Sequence, residues 1–260
     1  MHFFNFFRKS TLNAIARRTG YVRDQQGILN RYVRENENWK QHLEHTKSFI
    51  LESVQHTRKR GSIAFLGSGW LLDVPLDEVA KLFDDVYLYD IVHPEQVVVK
   101  TKKMKNVHLV TCDLTGGAVA LAENSASFEQ FVAKLPTLAL SEDFNRFDMV
   151  VSVNILNQLD IILCDYVSEK FSVIDDQLIP VRQFVQQFHI DTLPVGKTCI
   201  ITDFEEENKS TIDGSITNKN LLHCVFPAIH DKQEWMWIFD TNQKYHKHQK
   251  TILHVMAGNF

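Results

Sequence analysis

At 260 residues, 44% apolar and 23% charged, the chain has the composition of a soluble globular protein, long enough for one large α/β domain with an appendage. No apolar run approaches the ~18–20 residues of a membrane span, and Cys112, Cys164, Cys199 and Cys224 form no Cys-x-x-Cys pair, so buried thiols in a reducing compartment fit better than disulfides or zinc. The net charge is −4, but residues 1–60 hold twelve basic and five acidic residues, which leaves the remainder strongly acidic.

The start, Met1–Lys9, is aromatic without the basic, apolar and cleavage regions of a signal peptide, so the cytoplasm is the expected location. Thr11–Thr19 and Arg23–Arg34 read as helical pieces broken at Gly20 and Gly27. From Glu35 to Arg60 there is neither Gly nor Pro, and Trp39, Leu43, Thr46, Phe49, Ile50 and Val54 form one apolar stripe of a long helix ending at Gly61. Residues 1–60 are therefore expected to be a helical extension ahead of a domain over 61–260. The basic arm either packs on the acidic domain or attracts an anionic substrate or surface. Arg31, Tyr32, Glu35, Trp39 and His42 either pack and pair there or belong to a lid that selects the substrate. No nucleic-acid-binding module accompanies the charge, so nucleic acid is not an expected partner.

Residues 62–90 carry the main signal. Ile63–Leu66 is an apolar run suited to a strand buried on both faces. Gly67-Ser68-Gly69 turns the chain sharply and leaves backbone open to a ligand. Asp73 as N-cap and Pro75 in a first turn predict a helix to about Phe83. Val86–Tyr89 is a second strand, and Asp90 closes it about 20 residues after the glycine turn, where nucleoside-binding sheets hold ribose hydroxyls. A dinucleotide fingerprint would need glycine where Leu72 stands. Asp73, Asp77 and Glu78 at the helix start would repel a pyrophosphate but suit a sulfonium cation. S-adenosylmethionine is thus favoured over NAD.

His93-Pro94 begins a further helix. Val107–Val110 is strand three, with Asp113 at its carboxyl edge, able to accept from an adenine amino group or to cap a turn. Residues 125–135 read as helix and Leu135–Phe147 as loop. Phe147–Asn154 is the most continuous strand, delivering Asn154, Asn157 and Gln158. Gly67, Asp90, Asp113 and Asn154 should then converge outside the carboxyl ends of the strands. Leu156–Phe171 and Asp175–His189 are expected helices, Thr198–Asp203 strand five, and Lys219–Val225 a helix. Trp235–Phe239 and Ile252–Met256 should close the sheet as an antiparallel hairpin. The loop tract Tyr245–His248 reads as solvated, and no metal site is expected.

The succession IAFLGSG (63–69), VYLYD (86–90), VTCDL (110–114) and FDMVVSVNILNQL (147–159) resembles the class I S-adenosylmethionine-dependent methyltransferases over about residues 61–260. That resemblance implies an α/β, Rossmann-like, mostly parallel seven-stranded sheet with an antiparallel C-terminal hairpin. It implies a cofactor site of Gly67, Ser68, Gly69, Asp90, Ile91, Asp113, Leu114 and Asn154. Within it Gly67 and Gly69 would face the methionyl part, Asp90 the ribose, Asp113 the adenine, and Asn154 the transferred methyl. The family shows a third glycine where this chain has Leu71. The expected activity is methyl transfer to a small-molecule acceptor. The GSG form is also similar to nicotianamine synthase-like enzymes, which transfer an aminocarboxypropyl group from the same cofactor. An NAD(P)-dependent oxidoreductase and a nucleoside-binding protein without catalysis are the remaining readings. Methyl transfer needs a base only if the nucleophile must lose a proton. His189 and Asp203 are the candidate bases beside Asn154, and Tyr32, Trp39, Asn157 and Gln158 the candidate acceptor contacts. No Ser-His-Asp spacing, zinc motif or P-loop is present.

Overall fold

A computed structural model describes residues 11–260; the aromatic start over residues 1–9 lies outside the described residues. Helix α1 covers residues 11–18. The sheet strands and helices follow as α2 (Tyr21–His56), β1 (Ser62–Leu66), α3 (Leu76–Leu82), β2 (Asp85–Asp90), α4 (Glu95–Thr101), β3 (Val107–Thr111), α5 (Ala118–Asn124), α6 (Phe128–Lys134) and β4 (Met149–Val153). The chain continues through α7 (Gln158–Phe171), α8 (Ile179–Thr192), β5 (Thr198–Ser210), β6 (Ile216–Asn220), β7 (His230–Asp240) and β8 (Gln249–Asn259).

The strands form one sheet in the order β3-β2-β1-β4-β5-β8-β7, with β6 also paired to β5. β1 to β5 run parallel, and β8 enters antiparallel between β5 and β7. The expected seven-stranded arrangement is present with an eighth strand added. The sheet order reverses between β1 and β4, which opens a crevice at their carboxyl ends. Alternate residues of β1 serve two cores. Ala64 and Leu66 join Val119, Leu163 and Val185 on one face, while Ile63 and Phe65 join Phe49, Ile50, Val79 and Val97 on the other. Burial on both faces is why these strands read as continuous apolar runs.

Helix α2 differs from its sequence reading. Gly27 does not break it, and Gly20 instead stands at its N-cap with φ +96°. The stripe from Trp39 to Val54 is buried as expected, against the C-terminal hairpin, where Trp39 Nε1 donates to the Phe239 carbonyl at 2.9 Å. The one irregularity is at Glu35 (φ −113°, ψ 18°). Its buried carboxylate accepts from the amides of Thr241 and Asn242 and from the side chains of Thr241, Asn242 and Asn38. Burial alone would raise its pKa, but these bonds outweigh it and hold the group at about 2. Glu35 is a clamp between the helix and the hairpin loop.

The expected helix over Lys219–Val225 is absent: β6 occupies Ile216–Asn220 and pairs with the overhanging end of β5. Every residue of β6 is exposed, so no apolar periodicity marks it. The helix expected over residues 125–135 is present as α6, Phe128–Lys134, whereas Asp73 does not cap α3, whose N-cap is Pro75. The four cysteines are free, three of them buried. Among the described residues, no helix is long and apolar enough to cross a membrane.

Candidate functional site

The crevice at the switch between β1 and β4 is a pocket walled by the glycine turn, the ends of β2, β3 and β4, the start of α7, and α2 from above. All eight residues expected to hold a cofactor line it. The glycine turn and the strand-end carboxylate face each other: Gly69 N donates to Asp90 Oδ2 at 2.7 Å. The two glycines differ in purpose. A Cβ on Gly67, whose φ is +84°, would lie 2.6 Å from Ile155 Cβ, so this glycine lets the turn close onto the segment after β4. A Cβ on Gly69 (φ +43°) would meet nothing nearer than 3.9 Å, so the space beside it is open to a ligand. Leu71, where the resembled family has its third glycine, adopts φ +60° with a bulky side chain. The left-handed conformation is kept without glycine, at a cost of about 1–2 kcal/mol.

Asp90 is 7% exposed, and burial raises its pKa to about 6 although Gly69 N, Val92 N and Gln25 Nε2 all donate to it. Gln25 reaches down from α2, and Trp70 Nε1 holds its backbone carbonyl at 2.7 Å. Asp113 Oδ1 accepts from the amide and hydroxyl of Thr115, so the turn-forming role is present. Burial nonetheless raises its pKa, and Oδ2 is buried without a hydrogen bond. Asn154 ends β4 in the left-handed region (φ +48°), a strained position for a residue other than glycine. Its Nδ2 donates to Asp73 Oδ2 at 2.7 Å.

Charge in the pocket is one-sided. Asp24, Asp73, Asp90 and Asp113 line it, and among the described residues no lysine or arginine does. The remaining wall is aromatic and aliphatic, with Trp39, Trp70 and Trp237 prominent. Five lining residues carry buried polar atoms without partners: Tyr21 Oη, Ser68 Oγ, Asp113 Oδ2, Asn154 Oδ1 and Trp237 Nε1. Such atoms cost about 1–3 kcal/mol each when unsatisfied, so the pocket suits a polar ligand that supplies partners. An adenosine bearing a sulfonium side chain fits this lining; a pyrophosphate does not.

The other candidates divide. Trp39 and Gln158 line the pocket. Tyr32 packs on Trp39 (ring centroids 6.0 Å apart) outside it, and Asn157 is buried with Nδ2 donating to the Asp203 carbonyl. The two candidate bases are not brought to the pocket. His189 is fully buried in the core, its Nε2 2.9 Å from Ser152 Oγ, and burial lowers its pKa to about 4. Asp203 lies 8% exposed on β5 beyond the lining, its pKa raised by burial to about 6. Position along the chain suggests both, but His189 points under the sheet edge rather than over it.

Gln25, Trp70 and Trp237 are pocket residues that the sequence reading does not place there, and His42 enters it only as part of a lid. Of the acidic helix start expected beside the cofactor, Asp73 lines the pocket and Asp77 and Glu78 do not. His42 and Trp237 come together only through the packing of α2 on β7. Trp237 stacks on the His42 ring at 3.8 Å between centroids and 2° between planes.

No protein-family model matches the chain, and no curated protein matches it in sequence. Among solved structures, it is similar to a DhpI–SAH complex (12% identity, 90% of this chain and 95% of that one covered, TM-score 0.38). It is also similar to the N-methyltransferase NodS from Bradyrhizobium japonicum WM9 in complex with S-adenosyl-L-homocysteine (10% identity, 83% and 86% covered, TM-score 0.37). A third is Burkholderia thailandensis 1,6-didemethyltoxoflavin-N1-methyltransferase with bound 1,6-didemethyltoxoflavin and S-adenosylhomocysteine (9% identity, 91% and 87% covered, TM-score 0.36). Likenesses this distant carry no weight for the chemistry, which rests on the pocket itself.

Proposed function

We propose that the chain is an S-adenosylmethionine-dependent methyltransferase acting on a small-molecule acceptor. The observation that carries the reading is the 2.7 Å contact of Gly69 N with Asp90 Oδ2 at the sheet's switch point, in a pocket with four aspartates and, among the described residues, no lysine or arginine. A carboxylate there suits a ribose, and the four lining aspartates oppose a phosphate-bearing cofactor. In this assignment Asp90 holds the ribose, Asp113 and Leu114 the adenine, and the Gly67–Gly69 turn with Asn154 the methionyl part.

Bound there, the cofactor supplies a methyl group already activated by its sulfonium. The chain's own contribution is orientation and exclusion of water. Trp39, His42 and Leu43 of α2, with Trp237 of β7, cover the side of the pocket at Asn154, so α2 acts as the cover on the acceptor side of the 61–260 domain. Gln25 occupies Asp90 Oδ1 in this arrangement and must yield that oxygen, or share it, when a ribose is bound.

Thermal denaturation with separate additions of S-adenosylmethionine, S-adenosylhomocysteine and NAD tests the reading. Stabilisation by the first two and not by NAD is expected, since only a ligand of the native state raises the melting temperature. Stabilisation by NAD alone would end it. Release of S-adenosylhomocysteine in the presence of candidate acceptors separates an enzyme from a binding protein.

A further inference from the structure

The polar cluster at the end of β4 contains a proton problem that its own geometry resolves. Trp235 Nε1, 3.0 Å from His42 Nδ1, can only donate. Nδ1 is therefore the acceptor, and in the neutral ring Nε2 carries the hydrogen. His42 is neutral, since burial lowers its pKa to about 3 with His45 adding to the effect. Its Nε2–H faces the Asn154 amide nitrogen at 3.3 Å, one donor against another. The same nitrogen donates to Asp73 Oδ2 at 2.7 Å.

With Asp73 ionised, His42 Nε2–H thus lacks an acceptor, and the buried Asn154 Oδ1 lacks a donor. Turning the amide over places Oδ1 between His42 Nε2–H and Asp73. It then accepts from both, provided Asp73 carries a proton. Protonated Asp73 is the better satisfied state of this cluster. Burial opposes the charged form of Asp73, while the bond from Asn154, its own backbone amide and Lys47 on α2 favour it, and burial outweighs them. His42 and Asn154 are 1% and 6% exposed, whereas Asp73 is half-buried and its Oδ1 bonds to no other residue.

We propose that Asp73 is the proton acceptor of an amine-methylating site, with His42 and Asn154 as positioning residues that stabilise its protonated form. The assignment rests on the cofactor reading above and names its substrate class. A carboxylate in a pocket that Trp39, Trp70 and Trp237 also line, with no lysine or arginine among the described lining residues, attracts an ammonium and repels a carboxylate. The ammonium gives one proton to Asp73 and keeps the N–H electron pair. That pair forms the N–C bond as the S–C bond breaks, its electrons going to sulfur. The products are a methylated ammonium and neutral S-adenosylhomocysteine, and Asp73 returns its proton to solvent.

The test uses the whole chain, first saturated with S-adenosylhomocysteine and titrated with 2-phenylethylamine and benzylamine against 3-phenylpropanoate and 2-phenylethanol. The amines should bind best, and Asp73→Asn should weaken them at least tenfold while S-adenosylhomocysteine affinity stays within threefold, which also shows the variant folded. With S-adenosylmethionine and the same amines, kcat should fall ~100-fold or more in Asp73→Asn. His42→Phe should shift the acid limb of kcat to lower pH. Equal binding of acids and amines, unchanged amine affinity in Asp73→Asn, an unmoved acid limb in His42→Phe, or no methylation of either amine would each overturn the proposal. Loss of S-adenosylhomocysteine affinity in Asp73→Asn would assign Asp73 to the cofactor's own ammonium instead. Failure of S-adenosylhomocysteine to bind the unaltered chain would sink the cofactor reading itself.

Discussion

Replacing Asp90 by asparagine separates what this carboxylate costs the fold from what it gives a ligand. Its pKa of about 6 stands well above the ordinary value of 3.8, because burial outweighs the donors around it. That gap corresponds to about 3 kcal/mol that folding loses by keeping the group charged. The sign follows from proton binding: between pH 3.8 and about 6 the folded chain holds a proton that the unfolded chain releases. This contribution therefore declines as pH rises through that window and is lowest above it. The Asp90→Asn change removes the charge but sets an amide NH2 against either Gly69 N–H or Gln25 Nε2, at about 1–3 kcal/mol. The two effects nearly cancel, so stability at pH 7.5 should move by no more than ~2 kcal/mol either way. Ligand binding has no such compensation. A hydrogen bond to a charged acceptor contributes about 1.5–3 kcal/mol, so the dissociation constant for S-adenosylhomocysteine should rise at least ~10-fold. In the unaltered chain, affinity should fall as pH drops below about 6 and Asp90 takes up its proton, and in Asp90→Asn that limb should vanish. Calorimetric titration across pH 5–8 with parallel melting curves is the assay. An unchanged dissociation constant would refute the ribose assignment, and a variant that no longer melts cooperatively would refute the charge accounting.

Other expectations are simpler to read. Gly67→Ala should destabilise the fold strongly, because its Cβ collides with Ile155 at 2.6 Å from a left-handed backbone. Gly69→Ala should cost only the ~1–2 kcal/mol of its backbone conformation while blocking the pocket, so melting and ligand titration should rank the two variants in opposite order. Glu35→Gln should lower stability by about 2–3 kcal/mol through loss of the charged clamp, several degrees in melting temperature for a chain of this size. Because its folded pKa is depressed from 4.5 to about 2, that contribution is full above pH 4.5 and fades as pH falls toward 2, so the variant and the unaltered chain should converge in acid.

The parts of the fold that were legible share one property: their pattern is local. β1 and β4 are buried on both faces and read as apolar runs, and counting from the glycine turn places Asp90 at a strand end. Convergence of Gly67, Asp90, Asp113 and Asn154 follows from parallel strand order alone, and they line one pocket. What escaped depends on distant packing. β6 is exposed throughout and exists because β5 runs on past the end of β4 and leaves that edge open to it. Gly27 lies inside a helix whose register is set by its long apolar stripe further along. His189 has the right position in sequence, but the turn of α8 sends its ring into the core beneath Ser152. Asp73, with the local signature of a helix cap, instead meets Asn154 from across the sheet's switch point.

A crystal structure of the chain with S-adenosylhomocysteine tests the central claim most directly. The ribose hydroxyls should lie on the Asp90 carboxylate, with the adenine beside Asp113 and Leu114 and Gln25 moved off Asp90 Oδ1 or sharing it. A ligand seated elsewhere, or an Asp90 still bonded only to Gly69, Val92 and Gln25 in the loaded protein, would contradict the account.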